Sequence, residues 1–232
     1  MTDIIIERHN GINVLRDDNL PGGTKSILMQ GMINFGNEYV YATPVYGGFQ
    51  IALSHYCFDN LIKATIFCAK RKNLHENTIR CKELGANVIE VDYGYLSVVE
   101  KAARDYCEKN KAIKLTFGAN TMENKLKISE RVRSVIENLG KEPEEIWCAI
   151  GSGTLVESII MGTNNARIFG VQVGADFSLK HERLNVMKYH KTFDKISNFN
   201  CNFKSTKNYD LKAFEYCCRF TKSKDVLFWN VL

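Results

Sequence analysis

Short apolar, β-branched runs recur along the chain, and most are followed by a stretch whose apolar residues return every three or four positions. The runs at 39–42, 64–69, 87–91, 146–150, 167–173 and 226–231 predict strands. The stretches at 25–33, 48–58, 76–84, 97–108, 122–139, 155–161 and 211–220 predict helices. Such alternation points to parallel strands joined by crossover helices, a doubly wound α/β arrangement. The clearest unit is 63–91: a buried strand, a helix over 75–84, Gly85 as its left-handed stop, and a returning strand. Nothing in that unit alone demands catalysis. From 177 to 208 the pattern dissolves into polar residues, with His181, His190 and many lysines. That segment reads as a surface excursion or a mobile lid, and no element is assigned to it.

Composition narrows the class. A chain of 232 residues suits one α/β body, or a large domain carrying a smaller insertion. Its 45% hydrophobic and 25% charged residues are those of an ordinary globular protein. With 3 prolines and no low-complexity stretch, no disordered linker is expected. The net charge of +5 is scattered, apart from Lys70-Arg71-Lys72 and a cluster at 109–114, so a solvated surface explains it better than a nucleic-acid partner. The 8 cysteines show no C-x-x-C spacing and mostly sit in apolar runs. The 5 histidines lack ligand spacing, so no metal is expected, and His75 before Glu76 reads as part of a helix cap. No apolar run nears the ~20 residues that span a bilayer. The opening residues do not resemble a signal peptide, so the cytosol is the expected home.

Three glycine-containing turns fall where a strand hands over to a helix, the end of an open α/β sheet that binds ligands. The first contains Pro21-Gly22-Gly23-Thr24-Lys25, with Lys25 opening a helix. A cation there is disfavoured by the helix field, which lowers its pKa and suits a nucleophile or Schiff-base lysine. Taken alone, the segment also reads as a plain turn with a solvent lysine. The second, Thr43-Pro44-Val45-Tyr46-Gly47-Gly48-Phe49-Gln50, lets backbone N–H groups approach an anion, with Thr43, Tyr46 and Gln50 facing it. The third, Gly151-Ser152-Gly153-Thr154, follows an apolar strand and offers hydroxyls at a helix N-terminus, a phosphate cradle. It is not a P-loop, and it lacks the third glycine of a dinucleotide fingerprint. Tyr93 and Tyr95 are weaker candidates for lining a cleft, with packing preferred. Asp17-Asp18 invite a metal reading, but acids before a Pro-Gly turn are expected simply to set it.

In this order the segments resemble the fold-type II pyridoxal 5′-phosphate (PLP) enzymes, the tryptophan synthase β-like superfamily. In motif style the nearest are 1-aminocyclopropane-1-carboxylate deaminase and D-cysteine desulfhydrase. The family's Gly-Gly-Asn-Lys is here Gly22-Gly23-Thr24-Lys25, and its Gly-Ser-Gly-Gly-Thr loop is Gly151-Ser152-Gly153-Thr154, one glycine short. Leu84-Gly85-Ala86, the run at 115–120 and the run at 169–174 echo further family segments.

The resemblance implies an α/β protein of two lobes with three-layer parallel sheets, residues 1–36 plus 112–232 forming the large lobe and 37–111 a small inserted one, with PLP in the cleft. It implies that Lys25 carries the cofactor as a Schiff base and shuttles protons at Cα. Gly151, Ser152, Gly153 and Thr154 would hold the phosphate, and Asn230 would meet the pyridine nitrogen. Thr43, Tyr46, Gly47, Gly48 and Gln50 would face the substrate carboxylate, with Tyr46 a second catalytic group. The expected activity is that of a lyase or deaminase on a small amino-group substrate, in a homodimer. The family's Ser-Asn or Ser-Gly-Asn turn is here Val45-Tyr46-Gly47-Gly48, and this departure, with the slight basic charge and the polar segment at 177–208, supports an alternative substrate, an amine on a nucleotide or modified DNA base. Further alternatives are a phosphate or dinucleotide binder without PLP, and an inactive scaffold.

Overall fold

The computed structural model describes residues 3–92, 94–174 and 176–232, so the candidate Tyr93 lies outside the described residues. In chain order the elements begin with β1 (Ile6–His9), β2 (Ile12–Arg16), the short helix α1 (Met29–Met32), β3 (Glu38–Ala42) and α2 (Phe49–Asp59). They continue with β4 (Lys63–Ala69), α3 (Glu76–Glu83), β5 (Asn87–Val91), α4 (Leu96–Asn110), β6 (Ile113–Lys114) and α5 (Met122–Leu139). Last come β7 (Glu145–Ile150), α6 (Thr154–Gly162), β8 (Arg167–Gln172), β9 (Leu184–Lys188), α7 (Asp210–Phe220) and β10 (Val226–Asn230). Every strand and helix read from the hydrophobic pattern is present, with ends moved by one or two residues. One changes character: the helix expected at 25–33 is a 3₁₀ turn, Thr24–Leu28, running into α1.

The chain forms two compact units, Met1–Leu20 with Asn120–Leu232, and Pro21–Ala119. The second therefore takes in 21–36 and 112–119 besides the 37–111 insertion expected from sequence. The reason is local: β6 pairs with β3, and the Thr24–Leu28 turn packs on α2.

In the first unit the sheet order is β1-β2-β10-β7-β8-β9. All pairings are parallel except the β1–β2 hairpin at its edge. Alternation along the strands sorts the faces. Trp147, Ala149, Val171 and Phe228 pack with Ala213 and Phe214 of α7. Ile150 and Gly170 turn the other way, to Val156 of α6. Apolar burial on both faces is what a parallel sheet requires.

The second unit has the parallel sheet β5-β4-β3-β6. Val40, Ala42, Phe67 and Ala69 pack against Val99 and Ala103 of α4. The neighbouring Tyr41 faces the opposite side, where its ring meets Phe49 of α2 at 4.7 Å. His75 caps α3, its Nδ1 accepting from the Asn77 N–H at 3.2 Å, and Gly85 follows that helix with φ 74°.

Residues 177–208, read from sequence as an excursion or mobile lid, contain β9 and a pinned loop. Glu215 of α7 accepts from Tyr189 Oη and Ser197 Oγ, both at 2.6 Å. Lys212 donates to the Thr192 carbonyl at 2.8 Å. Tyr189 and Phe203 also join the apolar core, with Phe193 and Phe199 against it, but at irregular spacings that give no periodic signal.

Candidate functional site

In the second unit the Lys25 turn is shaped by Gly22. At φ 87° it lies in the left-handed region, and a Cβ there would meet the Ala52 backbone nitrogen at 2.4 Å. Only glycine permits that approach to α2. Lys25 follows in the 3₁₀ turn, partly buried, and donates to the Gly118 carbonyl at 2.5 Å. Its amine stands 5.8 Å from the centre of the Phe49 ring. Desolvation lowers its pKa to about 8, so a sizeable neutral fraction exists near physiological pH.

The turn after β3 belongs to the same unit. Thr43 is buried and donates to the Pro44 carbonyl at 2.9 Å. Gln50, expected to face a ligand, is fully buried. Its Nε2 donates to the Val45 carbonyl at 3.0 Å and the Gly47 carbonyl at 2.7 Å, while its Oε1 accepts from the Cys81 thiol at 3.8 Å. Asn77 adds a bond to the Gly47 carbonyl at 3.4 Å. The turn's carbonyls are thus drawn inward. Gly48 caps α2, whose first N–H groups find no acceptor within the helix. Tyr46 is half-buried, its ring edge-on to His75 at 4.8 Å. Tyr95 precedes α4 and is 86% exposed.

The first unit holds the third turn. Ser152 Oγ and Thr154 Oγ1 lie 3.0 Å apart at the start of α6. Asn120 Nδ2 donates to the Ser152 carbonyl at 3.4 Å. Gly153 has φ 86°, and a Cβ on it would meet the Phe177 ring at 2.3 Å. A Cβ on Gly151 would meet Tyr209 Oη at 3.0 Å. Close packing over both glycines keeps the loop backbone bare.

Asn230 ends β10, fully buried. Its Nδ2 donates to Asp18 Oδ1 at 2.8 Å and the Lys204 carbonyl at 2.9 Å, and its Oδ1 accepts from Ser205 Oγ at 2.8 Å. Both amide N–H groups are therefore spent. Asp17 and Asp18 do more than set a turn. Asp17 pairs with Arg131 at 2.7 Å, and Asp18 with Arg16 at 2.8 Å, tying β2 to α5 and β10. Among the described residues no cluster of metal-binding side chains occurs.

Asp210, which sequence reading missed, opens α7 and is fully buried. Its Oδ2 accepts from the Leu232 N–H at 3.0 Å. Its Oδ1 has no hydrogen-bond partner among the described residues. Burial holds the carboxyl well above the usual carboxylate range. No motif marks it in the sequence, since its setting depends on the end of β10, twenty residues away.

No protein-family model and no curated protein sequence matches the chain. Solved structures do. An ACC deaminase homologue is 15% identical, with a TM-score of 0.82 over 99% of this chain and 89% of its own. A hydrogen sulfide-producing enzyme from Fusobacterium nucleatum is 14% identical, with a TM-score of 0.72 over 99% and 94%. O-acetyl serine sulfhydrylase isoform 3 from Entamoeba histolytica is 13% identical, with a TM-score of 0.70 over 99% and 85%. Among the described residues no helix is long and apolar enough to cross a membrane. The chain has the fold of the fold-type II PLP enzymes.

Proposed function

We propose that the protein is a PLP-dependent enzyme that acts at Cα of an amino-acid-like substrate by elimination, replacement or deamination. The observation that carries this reading is Lys25: an amine brought to about 8 by desolvation, held on a carbonyl, behind a double-glycine turn. The groups of the first unit support it, because each suits one part of such a cofactor. Ser152, Thr154 and the first N–H groups of α6 suit a phosphate. Asp210 suits a basic ring nitrogen, since burial favours its protonated form and its Oδ1 has no hydrogen-bond partner among the described residues.

When bound, PLP supplies an electron sink for the pair left by a broken Cα bond. Lys25 would hold the cofactor through its amine and would move a proton at the substrate's Cα. Ser152, Gly153 and Thr154 fix the phosphate. Thr43, Tyr46, Gly47 and Gly48 present the substrate turn, and Gln50 sets its shape from behind. Tyr46 is a second acid–base group beside that turn. Asn230 anchors Lys204 and Ser205, which lead into α7 and Asp210. The same reading makes the protein a cytosolic homodimer. Sedimentation showing one chain's mass at micromolar concentration would remove the dimer.

The test is visible absorbance of the purified protein mixed with PLP, before and after borohydride, followed by peptide mapping. The expected result is a violet-absorbing adduct that borohydride fixes on Lys25. A label spread over surface lysines would sink the reading and leave the phosphate-binder alternative in its place.

A further inference from the structure

Lys25 has two supports in its own unit, and one residue touches both. The first support is the Gly118 carbonyl, 2.5 Å from the amine. The Gly118 N–H in turn donates to Tyr41 Oη at 3.0 Å. The second is the Phe49 ring, 5.8 Å from the amine, and the Tyr41 ring meets it edge-on at 4.7 Å. Tyr41 is 2% exposed and stands on β3, the strand that leads into the substrate turn.

The turn that presents the Gly118 carbonyl is itself constrained. Gly118 has φ 66° and Ala119 φ 53°. A left-handed alanine persists only where its surroundings hold it. Two bonds do so: Ala119 N–H to the Thr116 carbonyl at 3.0 Å, and Gly118 N–H to Tyr41. Burial pushes the Tyr41 phenol above its ordinary value, so it meets the Gly118 N–H as a neutral hydroxyl.

We propose that Tyr41 is a positioning residue for the Lys25 amine, acting through Gly118 on one side and Phe49 on the other. The proposal rests on Lys25 being the reactive amine. Removing the hydroxyl deletes the bond from the Gly118 N–H to Tyr41 at a buried site, and the turn loses that hold. The left-handed turn then relaxes and its carbonyl leaves the amine. A carbonyl at hydrogen-bond distance favours the ammonium form, so its loss shifts Lys25 toward the free amine.

The experiment is trace acetylation with acetic anhydride across pH, read by peptide mapping, on wild type, Tyr41→Phe and Tyr106→Phe. Tyr106 is a control in the same unit, its hydroxyl on Glu38 at 2.9 Å. In Tyr41→Phe the pH of half-labelling at Lys25 should fall by about half a pH unit or more. The rate of PLP trapping at Lys25 by borohydride should fall about tenfold, as expected for a misplaced nucleophile. Tyr106→Phe should leave both unchanged. A half-labelling pH that stays put or rises in Tyr41→Phe overturns the proposal. Wild type that takes no PLP at Lys25 instead overturns the reading of Lys25, while the acetylation still reports on Tyr41. If Tyr41→Phe does not fold, reductive methylation of wild type decides. The Gly118 amide resonance should then move more than other amides of the second unit, and an unmoved Gly118 rejects the link.

Discussion

The desolvated lysines of the two units, Lys25 in the second and Lys212 in the first, share a pKa brought down to about 8 and little else. Lys212 is fully buried on α7. Its amine donates to the Thr192 carbonyl at 2.8 Å and the Phe193 carbonyl at 3.4 Å, and it lies over the Tyr189 and Phe193 rings at 5.2 Å and 5.9 Å. Those contacts enclose it and fasten the loop after β9. Lys25 is only partly buried as a residue and follows two left-handed glycines that bare the backbone. Desolvation lowers the pKa of either amine. Only an amine that a ligand can approach turns that into nucleophilicity, so the same electrostatics makes one lysine a post and the other a reagent.

The largest test of this contrast is deletion of each amine in turn. Lys25→Ala should abolish the borohydride-fixed adduct and lower turnover by about a thousandfold or more, while leaving the urea midpoint close to wild type. Lys212→Met should do the reverse. It takes a charged donor from the Thr192 and Phe193 carbonyls and loosens the loop they hold, relieved in part by removal of a buried charge, for a net loss of about 2 kcal/mol in urea unfolding. PLP should still be trapped on Lys25. If Lys212→Met abolished trapping without loss of stability, the division between post and reagent would be wrong.

How much of this was legible in the sequence follows from how local each signal is. The strands at 146–150 and 64–69 are buried on both faces and read as continuous apolar runs. β1 and β2 were missed although Asn10-Gly11, with φ 50° and 78°, is the two-residue hairpin signal. β1 lies at the sheet edge, and Glu7, Arg8 and, on β2, Asn13 break the apolar runs and hide the alternation. β9 was missed because it pairs along one side only, with most of its residues exposed or half-exposed. The same rule holds in the candidate site. Lys25 and the 151–154 loop sit in compact glycine motifs that a reader can find. Tyr41 and Asp210 matter through contacts across 77 and 22 positions, to Gly118 and Leu232, and no spacing announces them. Gln50 was found but turned the wrong way, because a turn pattern does not say which side its carbonyls face.

Asp210 sharpens the contrast within α7. It lies two residues before Lys212, is equally buried, and yet is only half satisfied, with Oδ2 on the Leu232 N–H and Oδ1 without a partner among the described residues. An unfolded aspartic acid ionises near its model value of 3.8, whereas the folded one holds its proton well above that. The folded state is thus favoured by proton binding at low pH, and that advantage is lost as pH rises through the folded pKa. Asparagine has the shape of the neutral acid and cannot ionise. Asp210→Asn should match wild type in thermal stability near pH 4 and exceed it by a margin that widens toward pH 8, with ~2–4 °C in midpoint for each kcal/mol gained in a chain of this size. Parallel curves across that range would mean that the carboxyl already ionises freely inside the fold. It would then be anchored as Lys212 is, with no proton to offer a ring nitrogen.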